Sequence, residues 1–157
     1  MANRAKIRKV KPPARKPVVD EGGPFIRAAL LCERVLNDSD NAPSLIRIVD
    51  LATLTVDSLK RLPPIIVPIS LFVSLRAGTR RGKFEMVVRC LRQSGELLRE
   101  LPTPVEFTDG STLANYTFAL SSGLPGEGVY WFEVVFDGQL LTRVPLTVQV
   151  RIQPPPR

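Results

Sequence analysis

From Val129 to Phe136, and again from Gln139 to Ile152, apolar and polar side chains alternate, and Asp137-Gly138 separates the two runs. Alternation with a period of two places successive residues on opposite faces of a strand, and Asp-Gly between two such runs is a strong hairpin signal. Tyr130, Phe132, Val134 and Phe136 share one face of the first strand. Leu140, Val144, Leu146, Val148, Val150 and Ile152 share one face of the second, with Thr142 its polar member. Arg143, Thr147, Gln149 and Arg151 point the other way, which predicts a hairpin lying across a core with one face wet.

The rest of the chain reads as strands that cover that apolar face. Phe25 to Leu36 is the first, with Ile26, Ala28, Leu30 and Cys32 expected inside. After the polar loop at 37–43, Leu45 to Val56 reads as one long strand whose parity slips around Asp50, and a β-bulge there would relieve the conflict. Asp57 to Leu62 is capped like a helical turn and stopped by Pro63-Pro64. Ile65, Val67, Ile69, Leu71, Val73 and Leu75 then alternate with Ile66, Pro68, Ser70, Phe72, Ser74 and Arg76. Pro68 cannot donate to a ladder, so this strand is expected at an edge or pairs along only part of its length.

Residues 77–82 read as a hairpin loop leading to a strand with Phe84, Met86, Val88 and Cys90 inside. Leu97–Leu101 and Val105–Phe107 read as short pieces broken by Pro102 and Pro104. Ala114, Tyr116, Phe118 and Leu120 alternate before the Gly-rich loop at 123–128. Seven to nine mostly antiparallel strands, one short helical turn near 57–62 and no long amphipathic helix predict a single all-β, immunoglobulin-like β-sandwich.

Composition refines this picture at the ends of the chain. At 157 residues there is room for one domain with a real core. The net charge of +7 is uneven. Arg4, Lys6, Arg8, Lys9, Lys11, Arg15 and Lys16 precede residue 24 against only Asp20 and Glu21, whereas the basic and acidic residues of 24–150 balance. The division expected is a basic, Pro-rich flexible arm at 1–23, a sandwich at 24–152 and a Pro-rich tail at 153–157. The start is charged and lacks an apolar stretch, so it does not read as a signal peptide, and no apolar run approaches a membrane span. A cytoplasmic location is the default expectation. Cys32 and Cys90 then read as buried reduced thiols, with an inter-sheet disulfide as the alternative in an oxidising compartment.

Leu124-Pro125-Gly126-Glu127-Gly128-Val129-Tyr130 resembles the tyrosine corner of immunoglobulin-like sandwiches, where a Tyr hydroxyl bonds to backbone a few residues upstream. The order Cys-Trp-Cys of antibody domains is missing, since Trp131 directly follows the Tyr. A further resemblance covers most of residues 25–150. The run Ala29-Leu30-Leu31-Cys32-Glu33-Arg34-Val35, the run Ser44-Leu45-Ile46-Arg47-Ile48-Val49-Asp50, and Pro125-Gly126 through Leu141 are similar to an uncharacterised bacterial immunoglobulin-like β-sandwich family. The resemblance implies a fold and a bacterial source. It brings no catalytic residues.

Candidate chemistry is sparse. The sequence contains no histidine, which removes Ser-His-Asp and Cys-His catalysis and His-ligated zinc. Neither GxxxxGK[ST] nor GxGxxG occurs. Asp38 and Asp40 on a loop suit a hard cation or, more simply, a solvated turn. Ser58 and Lys60 form a formal Ser-Lys pair. No enzyme, no cofactor and no metal are therefore expected.

Binding readings remain. The arm cations together with Arg80, Arg81 and Lys83 are the candidate phosphate or nucleic-acid contacts. Phe72 and Trp131 are in phase with polar neighbours and point off the core face, as a partner surface would. Tyr130, Asp137 and Gly138 are read as structural. The expected function is a non-enzymatic interaction module that binds a protein partner through a face or edge of the sandwich. Pro68 and Pro145 would then blunt unwanted edge pairing. A nucleic-acid- or ribosome-associated protein held by the arm is the alternative, and a small-ligand or carbohydrate-binding sandwich using Trp131 is a third.

Overall fold

A computed structural model of the chain describes residues 22–40, 42–56, 64–120 and 123–152. Among the described residues nine strands follow one another: β1 (Phe25–Asn37), β2 (Pro43–Ile48), β3 (Leu51–Val56), β4 (Ser70–Arg76), β5 (Gly82–Arg92), β6 (Leu97–Phe107), β7 (Leu113–Ala119), β8 (Gly128–Phe136) and β9 (Gln139–Ile152). They form a four-stranded sheet in the order β2-β1-β4-β7 and a five-stranded sheet in the order β3-β9-β8-β5-β6. Every ladder is antiparallel except β3 with β9. The architecture is an immunoglobulin-like β-sandwich, and the predicted helical turn at 57–62 lies outside the described residues.

The closing hairpin forms as its alternation dictates. Asp137 and Gly138 both hold positive φ, 48° and 79°, the conformation of a type I′ turn whose twist matches that of the flanking strands. Tyr130, Phe132, Val134 and Phe136 are buried against Leu71, Val73 and Leu75 of the opposite sheet. Each such side chain removed from water contributes about 1.5–3 kcal/mol. The second strand is displaced by a bulge: Val134 faces Thr142, yet Val135 faces Leu140. Leu140 therefore joins the outer face instead of the core, contrary to the simple alternation.

The same physics corrects β1. A register shift between Ile26 and Ala28 changes its parity. Ile26, Ala29 and Leu31 lie beside Leu75, Val73 and Leu71 on the core side, while Ala28, Leu30 and Cys32 lie beside Ser74, Phe72 and Ser70 on the outer side.

The long strand expected over Leu45–Val56 is two strands in two sheets. Val49 N–H donates to Leu31 O in the four-stranded sheet at 2.8 Å, and Asp50 O accepts from Thr147 N–H in the five-stranded sheet at 2.9 Å. The parity conflict at Asp50 marks this change of sheet rather than a bulge within one strand. Ile65, Val67 and Ile69 are buried as their alternation predicts, but only Ser70–Arg76 forms strand. Pro68 sits within a tight turn in which Ile69 N–H donates to Val67 O at 2.9 Å.

Residues 77–81 link β4 to β5 and so pass from one sheet to the other, not around a hairpin. Gly23 anchors the start of the domain against this link. Its φ is +57°, and a Cβ there would stand 2.5 Å from Ala77 O. Pro102 and Pro104 do not break β6, which runs unbroken as the edge strand of its sheet, where a missing donor is tolerated.

Candidate functional site

The outer face of the five-stranded sheet is assembled by register. Residues opposite one another on neighbouring strands share a face, and on each strand that face recurs every second residue. Leu97, Leu91, Trp131 and Pro145 form one row across β6, β5, β8 and β9. Glu100, Arg89, Glu133 and Arg143 form the next. Pro102, Val87, Val135 and Leu140 form the third.

The middle row is a ladder of alternating charge. Arg89 Nε lies 2.7 Å from Glu100 Oε1, and Arg143 Nη2 lies 2.8 Å from Glu133 Oε1. Glu133 is only 8% exposed although it faces outward, and Val135, two residues along the same strand and face, is 5% exposed. Leu97 and Leu140, at opposite corners, are 50% and 44% exposed. Both reach this face because of bulges, at Cys90/Leu91 against β6 and at Val134/Val135 against β9. A charged ribbon between two apolar ones is a surface that mixes affinity with orientation.

The residues singled out from the sequence fall in different places. Trp131 is half-buried on this face, as its phase predicted. Phe72 does not form a partner surface. It lies on the outer side of β4 but is 4% exposed, next to Leu30 and Thr117. Parity gave its side of the sheet correctly, and parity says nothing about cover.

Tyr130 is structural: its hydroxyl donates to Gly126 O at 2.7 Å, closing the tyrosine corner. Asp137 and Gly138 make the hairpin turn. Arg4, Lys6, Arg8, Lys9, Lys11, Arg15 and Lys16 lie outside the described residues, as do Ser58 and Lys60.

The basic cluster in the β4–β5 link is largely committed to internal contacts. Arg81 Nε is 2.8 Å from Asp109 Oδ1, and its Nη1 donates to Gly78 O and Arg80 O at 3.0 and 2.8 Å. Arg80 Nε donates to Gly23 O at 3.2 Å, and its guanidinium stands 6.0 Å from the centre of the Phe84 ring. Lys83 is opposite Glu106. Asp38 Oδ2 accepts from Ser44 Oγ at 2.9 Å and Asp40 Oδ1 from Ala42 N–H at 3.0 Å, so both carboxylates close their own loop.

A cavity of about 280 Å³ opens between the sheets, lined by Val67, Ile69, Cys90, Phe132 and Leu146, with Arg99 also on its wall. Burial pushes the Cys90 thiol up to about 11, against the opposing pull of the Arg99 guanidinium. A thiol held protonated is a poor nucleophile near neutral pH. Cys32 and Cys90 are both free and buried, on different sheets. Burial raises the Cys32 thiol pKa too, against a smaller opposing backbone hydrogen bond at Arg34. Tyr116, on the edge strand β7, donates its hydroxyl to Pro104 O of the edge strand β6 at 3.2 Å. That bond closes one side of the sandwich.

A family model described as a family of unknown function, DUF6941, matches residues 27–149. No curated protein matches the chain. Among solved structures, an immunoglobulin-like protein from Pseudomonas aeruginosa is similar at 10% identity and a TM-score of 0.44, over 82% of this chain and 98% of that one.

Proposed function

Because the chain belongs to the family of unknown function DUF6941, membership brings no activity with it, and we propose a non-enzymatic interaction module that binds protein through the outer face of the five-stranded sheet. The observation that supports this reading is the pair of apolar rows on that face, with Leu97 and Leu140 about half exposed on either side of a paired charge ladder. Large apolar side chains clustered on an outer sheet face favour protein contact, and aromatic anchors such as Trp131 carry a disproportionate share of binding energy.

A photo-crosslinking residue placed at Leu97 or Leu140 tests the reading in cells, with Ile66, 64% exposed elsewhere on the molecule, as the control position. Adducts should form from the two face positions, not from the control, and Trp131→Arg should remove them. Equal labelling from all three positions, or adducts indifferent to Trp131→Arg, overturns the face as the binding surface.

The nucleic-acid reading draws support from the seven arm cations, since Arg81 in the link is neutralised by Asp109. Its test is the anisotropy of labelled RNA with the full chain as salt rises. Attachment by phosphate contacts must weaken steeply with salt, and binding that does not respond to salt removes the arm from consideration.

A further inference from the structure

The charge ladder has a symmetry property that selects a partner. Read from β6 to β9 it runs minus, plus, minus, plus: Glu100, Arg89, Glu133, Arg143. Reversed, it becomes its own electrostatic complement. We propose that the partner of this face is a second copy of this chain, packed face to face about a two-fold axis that runs parallel to the strands between β5 and β8. The proposal rests on the reading of this face as the binding surface.

That axis reverses the order of strands but keeps each row at its own level. Glu100 then meets the second copy's Arg143, the exposed pair of the ladder, and Arg89 comes over its Glu133, which is mostly covered within its own sheet. The apolar rows stack on themselves with the same reversal: Trp131 lies over the second copy's Leu91, Leu97 over its Pro145, and Leu140 over its Pro102. Each exposed corner leucine thus faces a proline of the other copy, and both leucines occupy those corners because of the two bulges. A two-fold interface is self-complementary by construction, so a surface that matches its own reversed image is what such an interface requires.

Other arrangements are disfavoured by the same charges. An axis running across the strands would set Glu100 against Glu100 and Arg143 against Arg143, and like charges brought together suppress that packing. Each charge also keeps its partner within its own sheet, so no ion is left alone when the face loses water. At the hairpin end, Glu85 and Asp137 would meet as like charges, which bounds the footprint at the third row. Four strands and three rows span about 20 Å each way. This is small for a specific interface, so the dimer should be reversible and concentration-dependent.

The test uses the full chain in sedimentation velocity over about two decades of concentration, with Glu100→Arg and Arg143→Glu as separate variants. Both positions are exposed and tolerate charge; circular dichroism and melting confirm the fold. The wild type should shift from monomer to dimer with rising concentration and less so in high salt. Each variant alone should weaken association by about tenfold or more, because it sets like charges opposite one another. An equimolar mixture of the two variants should restore a heterodimer. The two substituted positions then face one another with opposite charges, and the native pair remains on the second side.

A wild type that stays monomeric throughout overturns the second copy as partner and leaves the crosslinking test of the face untouched. Dimers indifferent to both substitutions, or a mixture that fails to associate, overturn the two-fold arrangement.

Discussion

The central strips of the two outer faces differ in charge, whereas both faces carry exposed apolar side chains at their margins, Leu97 and Leu140 on one and Ile46 and Ile48 on the other. On the five-stranded sheet the central strands β5 and β8 send Arg89 and Glu133 outward; Leu97 and Leu140 at the corners stay open to solvent, while Glu133 and Val135 at the centre are buried. On the four-stranded sheet the central strand β4 sends Ser70, Phe72 and Ser74 outward, beside Cys32, Leu30 and Ala28 of β1. No ionised group stands among these six, and Phe72, Ser74 and Cys32 are buried. An outer face is thus not an exposed face by definition. A covered outer position is filled either by an uncharged side chain, as at Phe72, or by an ion that keeps its partner, as Glu133 keeps Arg143, because desolvating an unpaired ion is costly.

The sharpest way to break this contrast is to truncate the aromatic on each face. Phe72→Ala should destabilise the fold by about 3–5 kcal/mol, as for other buried aromatics, read by chemical denaturation. Trp131→Ala, on the half-buried side, should lose about 1–2 kcal/mol despite removing a larger ring. Equal losses would remove the distinction between the faces.

Ser74 offers a change of opposite sign. Its Oγ is the buried side-chain oxygen without a hydrogen-bond partner among the described residues. Ser74→Ala removes an unsatisfied group and should raise stability by about 1 kcal/mol in the same assay.

On the charged face, Arg143→Ala should cost less than about 1 kcal/mol, because Arg143 is well exposed and solvent screens the pair, even though its partner Glu133 is mostly covered. A much larger loss would mean that the ladder contributes to the fold itself.

The Cys90 thiol has no effect near neutral pH and acts only in alkaline solution. Burial raises the Cys90 pKa from 9.0 to about 11, so the native state holds that proton where the unfolded chain has released it. The stability linked to it is complete below pH 9 and declines as pH climbs from 9 toward 11. Native Cys90 should accordingly react with a thiol reagent far more slowly at pH 9 than the denatured chain does, and labelling at equal rates would contradict the burial.

Much of the fold was legible before the structure. The hairpin turn at Asp137-Gly138, the inner faces of β5 and β7 and the tyrosine corner all follow from local alternation and turn chemistry. The failures share one cause. Alternation reports which of two sides a residue takes, and a single extra residue inverts it, as at Arg27 in β1 and Leu141 in β9. It also carries no label for the sheet, so Leu45–Val56 read as one strand although Val49 and Asp50 belong to different layers.

The candidate site was legible only at Trp131, whose outward phase is local. The ladder joins Glu100, Arg89, Glu133 and Arg143 from four strands. Their adjacency is a matter of pairing between segments distant in sequence, which no local pattern encodes.

The crossing at Val49 and Asp50 has a mechanical consequence. One residue is bonded to Leu31 in the first layer and the next to Thr147 in the second, with no slack between them. Apolar side chains packed face to face resist separation more than they resist sliding, because attraction of that kind has little direction. A spine this short supplies the missing resistance. Shear of one layer past the other must break one of these two hydrogen bonds, because a single peptide bond joins the residues that make them, so the sandwich can flex like a bound book while this point resists the slipping of its pages.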